Sequence, residues 1–180
     1  MSRTKVVMAC SAAALTLASA GRAEMKRVPV VRLHAVTEVA APASAVWAYL
    51  VQGKSLATWC PIWKSAADSR TTLTRVGDVL DFTDEWGNNG RSVVTYLVKD
   101  KELRVAHEPH DGSYMCQAKI VLSPGDKGTT IHYWDQYTDE SAEKDLQATA
   151  RKMETEMEQA LAVLKKGVEQ GAPAGRPSRR

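Results

Sequence analysis

The run Ser141 to Gln170, SAEKDLQATARKMETEMEQALAVLKKGVEQ, decides what the rest of the chain has to be. Apolar residues recur at Leu146, Ala150, Met153, Met157, Leu161, Leu164 and Val168, each three or four positions after the last. That spacing draws one face of a 3.6-residue helix, and the opposite face is charged. No Pro interrupts the run, strong helix formers dominate it, and Gly171 followed by Pro173 supplies a stop. At 1.5 Å per residue such a helix is about 45 Å long. An amphipathic helix of that length needs a broad apolar surface to lie on, and the preceding residues have to provide it.

Those residues read as a sheet. In Lys26–Ala41 one parity holds Val31, Leu33, Ala35 and Val39 and the other holds Arg32, His34 and Glu38, the two-residue period of a half-buried strand. Pro42 opens a short helix that Gly53 should end, and a second short helix from Ser55 to about Trp59 closes at Cys60-Pro61. From there the period returns to two, with candidate strands at Ile62–Ser69, Val79–Asp84, Ser92–Val98, Leu103–Glu108, Tyr114–Leu122 and Thr129–Tyr137. Turn residues at 87–90, 99–101, 109–112 and 123–128 make antiparallel neighbours of them. Parity places Leu80, Phe82, Val94, Tyr96, Leu103, Val105, His107, Tyr114, Cys116, Ala118, Ile120 and Leu122 toward the helix. In the last strand it leaves two inner sets open, Ile131/Tyr133/Tyr137 or His132/Trp134.

The two ends differ from the body. Arg3 and Lys5 precede an uncharged run, Val6–Ala20, with small residues at Ala18, Ala20, Gly21 and Ala23, the form of a secretory signal peptide over residues 1–23. Its 15 residues fall short of the roughly 20 that a membrane span needs. An exported protein, periplasmic or secreted, is the expectation. The formal charge is +3. Arg3, Lys5 and Arg22 leave with the leader, so the chain from Glu24 onward is neutral. Arg176, Arg179 and Arg180 sit in a disordered basic tail over 171–180, so the body (24–170) is slightly acidic and offers no nucleic-acid footprint. Of three cysteines, Cys10 leaves with the leader. Cys60 and Cys116 then stand either as two buried thiols or as a disulfide, which the exported compartment permits.

The order strand, two helices, six strands, long helix, together with VTEVAAPASAVWAYLVQGKSLATWCPIW at 36–63, resembles the START-like (SRPBCC) superfamily, in its polyketide cyclase/dehydrase and lipid transport branch. The features that carry it are Ala41-Pro42 leading to Val46-Trp47, Trp59-x-Pro61, Gly77 opening a strand, and Gly128-Thr129 leading to Trp134 before the long helix. The resemblance spans about Val28 to Val168. It implies an α+β helix-grip fold, a seven-stranded antiparallel sheet wrapped around the C-terminal helix with a cavity between them. The glycine-rich G-x-G-x-x-R turn frequent in such proteins is replaced by Arg75-Val76-Gly77-Asp78-Val79-Leu80, with one Gly and no following Arg, which removes any phosphate loop.

Several residues carry chemistry in principle. His107 and His110 flank Pro109 at a hairpin end, with no further Cys or His nearby to complete a ligand set, so no metal and no cofactor is expected. The aromatic set is rich in Trp and Tyr beside a single Phe, and their polar handles suit a cavity wall as well as a core. Met153 and Met157 suit a wall that adapts to apolar ligands. Asp84 and Glu85 lie beside Trp86, and His132 and Asp135 beside Trp134. No G-x-S-x-G, P-loop or dinucleotide fingerprint is present. The expected function is therefore an exported binding protein for a small or medium hydrophobic ligand, held between sheet and helix in a cavity of a few hundred Å³. Its expected wall is Trp59, Trp63, Phe82, Tyr96, His107, Tyr114, Trp134, Met153 and Met157. The alternative is a cyclase or lyase using His107 and Tyr114, or His132 and Asp135, as a general acid–base pair.

Overall fold

The computed structural model describes residues 30–60, 71–84, 87–112, 114–138 and 146–171. The expected signal peptide, the basic tail, Trp63 and the Glu85-Trp86 pair lie outside them. In chain order the elements are β1 (Val30–Val39), α1 (Ala43–Leu50), α2 (Gly53–Trp59), β2 (Val79–Thr83), β3 (Asn89–Val98), β4 (Glu102–Pro109), β5 (Met115–Pro124), β6 (Thr129–Thr138) and α3 (Leu146–Gly171). The strands form one antiparallel sheet in the order β1-β6-β5-β4-β3-β2, so the first strand crosses over to pair with the last. The sheet has six strands among the described residues, not seven. The expected strand at Ile62–Ser69 is outside those residues. Residues 71–73 pair with the segment between α1 and α2: Thr71 O accepts from Gly53 N at 2.7 Å, and Leu73 N donates to Val51 O at 2.8 Å. Gly53 does not end a helix. It opens α2, the bond to Thr71 holding its N–H.

α3 packs chiefly on β1 and α2. Its buried face is Met157, Ala160, Leu161, Leu164 and Val168, with Ala150 and Met153 partly covered, the stripe that the spacing predicts. The 26 residues span about 39 Å, and the described helix begins at Leu146. Its last turns are tied to the end of β1. Lys165 Nζ donates to Glu38 O at 2.7 Å, and the Glu169 carboxylate accepts from Ala40 N at 3.0 Å. Burying Leu161 and Leu164 contributes about 2 kcal/mol each, and this seam sets where the helix sits along β1. Among the described residues, no helix is long and apolar enough to cross a membrane.

The parity read from β1, β2, β4 and β5 holds in the structure. The inner face carries Val31, Leu33, Ala35 and Val39, then Leu80 and Phe82, Leu103, Val105 and His107, and Cys116 to Leu122 on alternate residues. In β6 the inner set is Ile131, Tyr133, Asp135 and Tyr137, and His132 and Trp134 face outward. Tyr96 also departs from expectation. Pairing runs Val94 with Val105 and then Tyr96 with Arg104, so β3 advances two residues while β4 advances one. This bulge turns Tyr96 to the outer face, 41% exposed, while Val94 stays buried.

Candidate functional site

A polar seam crosses the inner face of the sheet where an apolar core would be expected. One cross-strand row reads Ser92 (β3), His107 (β4), Cys116 (β5), Tyr137 (β6) and Val31 (β1), and the next reads Val94, Val105, Ala118, Asp135 and Leu33. Neighbouring strands lie about 4.8 Å apart, so side chains on one row or on a diagonal of two rows are within reach. The diagonal is used: the Cys116 thiol donates to Asp135 Oδ1 at 2.9 Å. The His107 ring meets Ser92 Oγ through Nδ1 at 2.8 Å. At the β2 end Tyr114 donates from its hydroxyl to Asp84 Oδ2 at 3.1 Å, and Asn88 holds the same carboxylate through its backbone and side-chain nitrogens at 2.8 and 2.9 Å.

Between this seam and α3 lies a cavity of about 60 Å³, room for a few waters. Cys60 closes one side, from the C-terminal end of α2, and its thiol shares a hydrogen bond with the Tyr133 hydroxyl. Tyr114, Cys116, Asp135 and Tyr137 face it from the sheet, and Leu33 from β1. Met153, Glu156 and Met157 reach it from α3. Cys60 and Cys116 are both buried free thiols on the same cavity.

Low polarity around the cavity shapes its acid–base state. Burial lifts the Asp135 carboxyl to about 6, although the Cys116 thiol and the Gln136 backbone N–H pull it down. Burial, and then the adjacent Asp135 charge, pushes the Cys116 thiol well above its ordinary value, so it stays a hydrogen-bond donor rather than a nucleophile. Burial likewise raises Tyr133 well above the usual phenol range, and burial with the Asp84 charge raises Tyr114. His107 is fully buried and is lowered to about 3 by that burial, so it remains neutral. From the sheet the cavity is therefore offered a carboxyl, Asp135, able to accept or donate, with the Glu156 side chain reaching it from α3.

The expected site residues are distributed unevenly. Tyr114, Met153 and Met157 line this cavity. Trp59 is buried beside it, edge-on to Tyr133 at 6.1 Å. Phe82 and His107 pack together deeper under β2–β4, ring centroids 6.2 Å apart. Tyr96, His132 and Trp134 are on the outer face, where Trp134 stacks on His34 at 4.6 Å. Of the two acid–base pairs, His132 and Asp135 stand on opposite faces of β6, because residues three apart in a strand point to opposite sides. His107 and Tyr114 share the inner face, but each bonds another group, Ser92 and Asp84. Cys60, Cys116, Tyr133 and Tyr137 were not expected in the wall. Parity assigned Cys116 to the inner face, but only the β5–β6 register brings its sulfur to Asp135. This cavity is also smaller than a few hundred Å³, at about 60 Å³, with Met153 and Met157 among its lining. Among those residues no group of three or more His, Cys, Asp or Glu is arranged to hold a metal ion.

An antiparallel sheet gripping a C-terminal helix, with two short helices after the first strand and a lined space between sheet and helix, defines the START-like (SRPBCC) class. Within that class, the chain belongs to the family described as Activator of Hsp90 ATPase homolog 1-like protein, whose model matches residues 40–169. No curated protein matches it. Solved structures do. The Mesorhizobium loti protein MLL2253 aligns at 14% identity with a TM-score of 0.60, over 79% of this chain and 99% of that one. The Aha1 dimer from Colwellia psychrerythraea aligns at 17% identity and 0.57, over 79% and 99%. DynU16, from the dynemicin biosynthetic locus, aligns at 17% and 0.58, over 81% of this chain and 49% of that one. At such identities the likeness is one of fold alone.

Proposed function

We propose that this protein is an exported binder of a small hydrophobic molecule, seated between the sheet and α3 with one polar end on Asp135. The observation that supports this reading most is a buried carboxyl, lifted to about 6 and bonded to a thiol, that opens onto a cavity lined also by Leu33, Met153 and Met157. A carboxyl that is costly to desolvate and faces a cavity marks a candidate binding site. At about 60 Å³ the cavity takes only a few heavy atoms as it stands. A larger guest enters by moving Met153 and Met157, whose unbranched thioether chains repack at low cost. A hydroxyl or amine on the guest would take the free lone pairs of Asp135, and its apolar body would lie on Leu33, Tyr137 and the two methionines. Export rests on the basic residues Arg3 and Lys5 before the uncharged run Val6–Ala20.

The test is native mass spectrometry of the protein purified from its own host, with extraction of anything released. The expected result is a co-purifying apolar molecule with a hydrogen-bonding end, absent from Met157→Trp, which fills the cavity. An apo mass, together with no thermal shift by a panel of fatty alcohols, amines and acids, refutes the reading. N-terminal sequencing of the same sample tests export, which predicts a start near Glu24.

A further inference from the structure

The face of the sheet turned away from α3 carries its own organised row. His34 (β1), Trp134 (β6), Lys119 (β5), Arg104 (β4) and Tyr96 (β3) are successive cross-strand partners. Two rings, His34 and Trp134, are followed along the row by two cations, Lys119 and Arg104, and then by a third ring, Tyr96. His34 stacks on Trp134 at 4.6 Å with planes 4° apart, the Lys119 ammonium sits 4.7 Å from the Trp134 centroid, and the Arg104 guanidinium sits 4.8 Å from the Tyr96 centroid. The adjacent outer row is Arg32, Gln136 and Gln117. Between the two rows runs a groove of about 350 Å³.

The groove has a charge sign. Arg104 is shared with Glu102 at 2.6 Å. Arg32 and Lys119 have no carboxylate partner among the described residues. Asp135 touches the groove wall, but its carboxyl faces the opposite side of the sheet, in the Cys116 hydrogen bond. Two cations with no carboxylate partner among the described residues thus flank two amides, Gln117 and Gln136, whose N–H groups can donate to an oxyanion. The size is that of a small-molecule site rather than of a bare ion. The walls beyond the charges are the edge of Trp134 and the aliphatic stems of Arg32 and Lys119, which suit a flat apolar body. A stacking platform for nucleic-acid bases is the other use of aromatics on a sheet face, and it needs open ring faces. Here the Trp134 and Tyr96 faces are taken up by His34, Lys119 and Arg104.

We propose that this outer groove binds a small organic anion, a carboxylate or phosphate ester on a flat apolar body, between Arg32 and Lys119 over Gln117 and Gln136. The site is independent of the sheet–helix cavity, which is on the other face. The charged end lies over the amides, and the flat body lies along the aliphatic stems of Arg32 and Lys119 and the edge of Trp134.

The experiment is an NMR titration of the full ¹⁵N-labelled chain with three probes: 2-naphthoate, inorganic phosphate and the neutral 2-naphthalenemethanol. Naphthoate is expected to give saturable shifts at the Trp134 indole N–H and at the Gln117, Lys119 and Arg32 amides, weakening as salt is raised. Affinity should fall about threefold in Arg32→Gln or Lys119→Gln and about tenfold in the double variant, the range for partly exposed charge pairs. Phosphate should bind more weakly at the same amides, and the neutral alcohol should leave them unmoved. Three results overturn the proposal: naphthoate affinity unchanged in a folded double variant, the alcohol binding as tightly as naphthoate, or shifts confined to Met153 and Met157. The last would place the probe in the inner cavity, and would leave the reading of that cavity standing while this one fails.

Discussion

Replacing Asp135 with Asn keeps the shape of the side chain and removes its charge, and the consequence for stability follows from the geometry. Asp135 is buried, and its carboxyl is raised from the ordinary 3.8 to about 6. A folded-state value above the unfolded one means that the fold favours the protonated acid. That contribution is complete below about pH 4 and is lost as pH rises through about 6. Two pH units correspond to about 3 kcal/mol. The variant has no such loss. Its stability relative to the parent should therefore rise by about 3 kcal/mol between pH 4 and pH 8, with most of the change between 4 and 6. His107 works in the opposite sense. Lowered to about 3 from 6.5, it contributes stability above pH 6.5 that is lost as pH falls toward 3. Both proteins carry it, so it cancels in the difference. Urea unfolding followed by tryptophan fluorescence at half-unit pH steps reads the difference directly. A difference flat to within about 0.5 kcal/mol over that range would show the carboxylate to be well solvated and would refute the argument. Cys116→Ala sharpens the test. Without the thiol donor the charged form loses a hydrogen bond, and the window should move to higher pH.

Three further outcomes follow from packing. Gly90→Ala should cost about 1–3 kcal/mol in urea unfolding, since an added Cβ would sit 2.5 Å from Glu108 O and 2.7 Å from Pro109 Cα, backbone atoms of the paired strand. Leu164→Ala, at a position with no exposed surface in the helix–sheet seam, should cost about 2–5 kcal/mol by the same assay. Lys165→Met should lose about 1 kcal/mol and speed amide hydrogen exchange in the last turns of α3, because it removes the 2.7 Å bond to Glu38 O.

How much of this was legible beforehand differs residue by residue. The apolar stripe from Ala150 to Val168 is a local period, and the helix buries those positions as spaced. The alternation in β1, β4 and β5 is local too, with charged Arg32, Arg104 and Lys119 marking the outer parity. β6 was ambiguous because both parities hold aromatics, and neither Trp134 nor Tyr133 marks water or core. The pairing of His34 with Trp134 settles it, a contact across a hundred residues of chain. Tyr96 was misplaced because a bulge adds one residue to one strand of a pair, and nothing at 94–96 records what the partner strand does. The candidate site is less legible than the fold for the same reason. Met153, Met157 and Tyr114 could be picked by face. The Cys116–Asp135 bond could not, because it depends on the register of β5 against β6.

The sequence by itself determined the periods, and with them the order of elements, the helix that the sheet has to cover and the family resemblance carried by the stretch from Ala41 to Pro61. Tertiary structure decided which residues stand opposite one another: a thiol beside a buried carboxyl on the inner face, a row of rings and cations on the outer one, and a small cavity lined by two methionines. The physical reason is range. Helix and strand periods arise from the backbone geometry of a few neighbouring residues, whereas burial of Asp135 and the meeting of His34 with Trp134 exist only once strands distant in the chain have been brought into register.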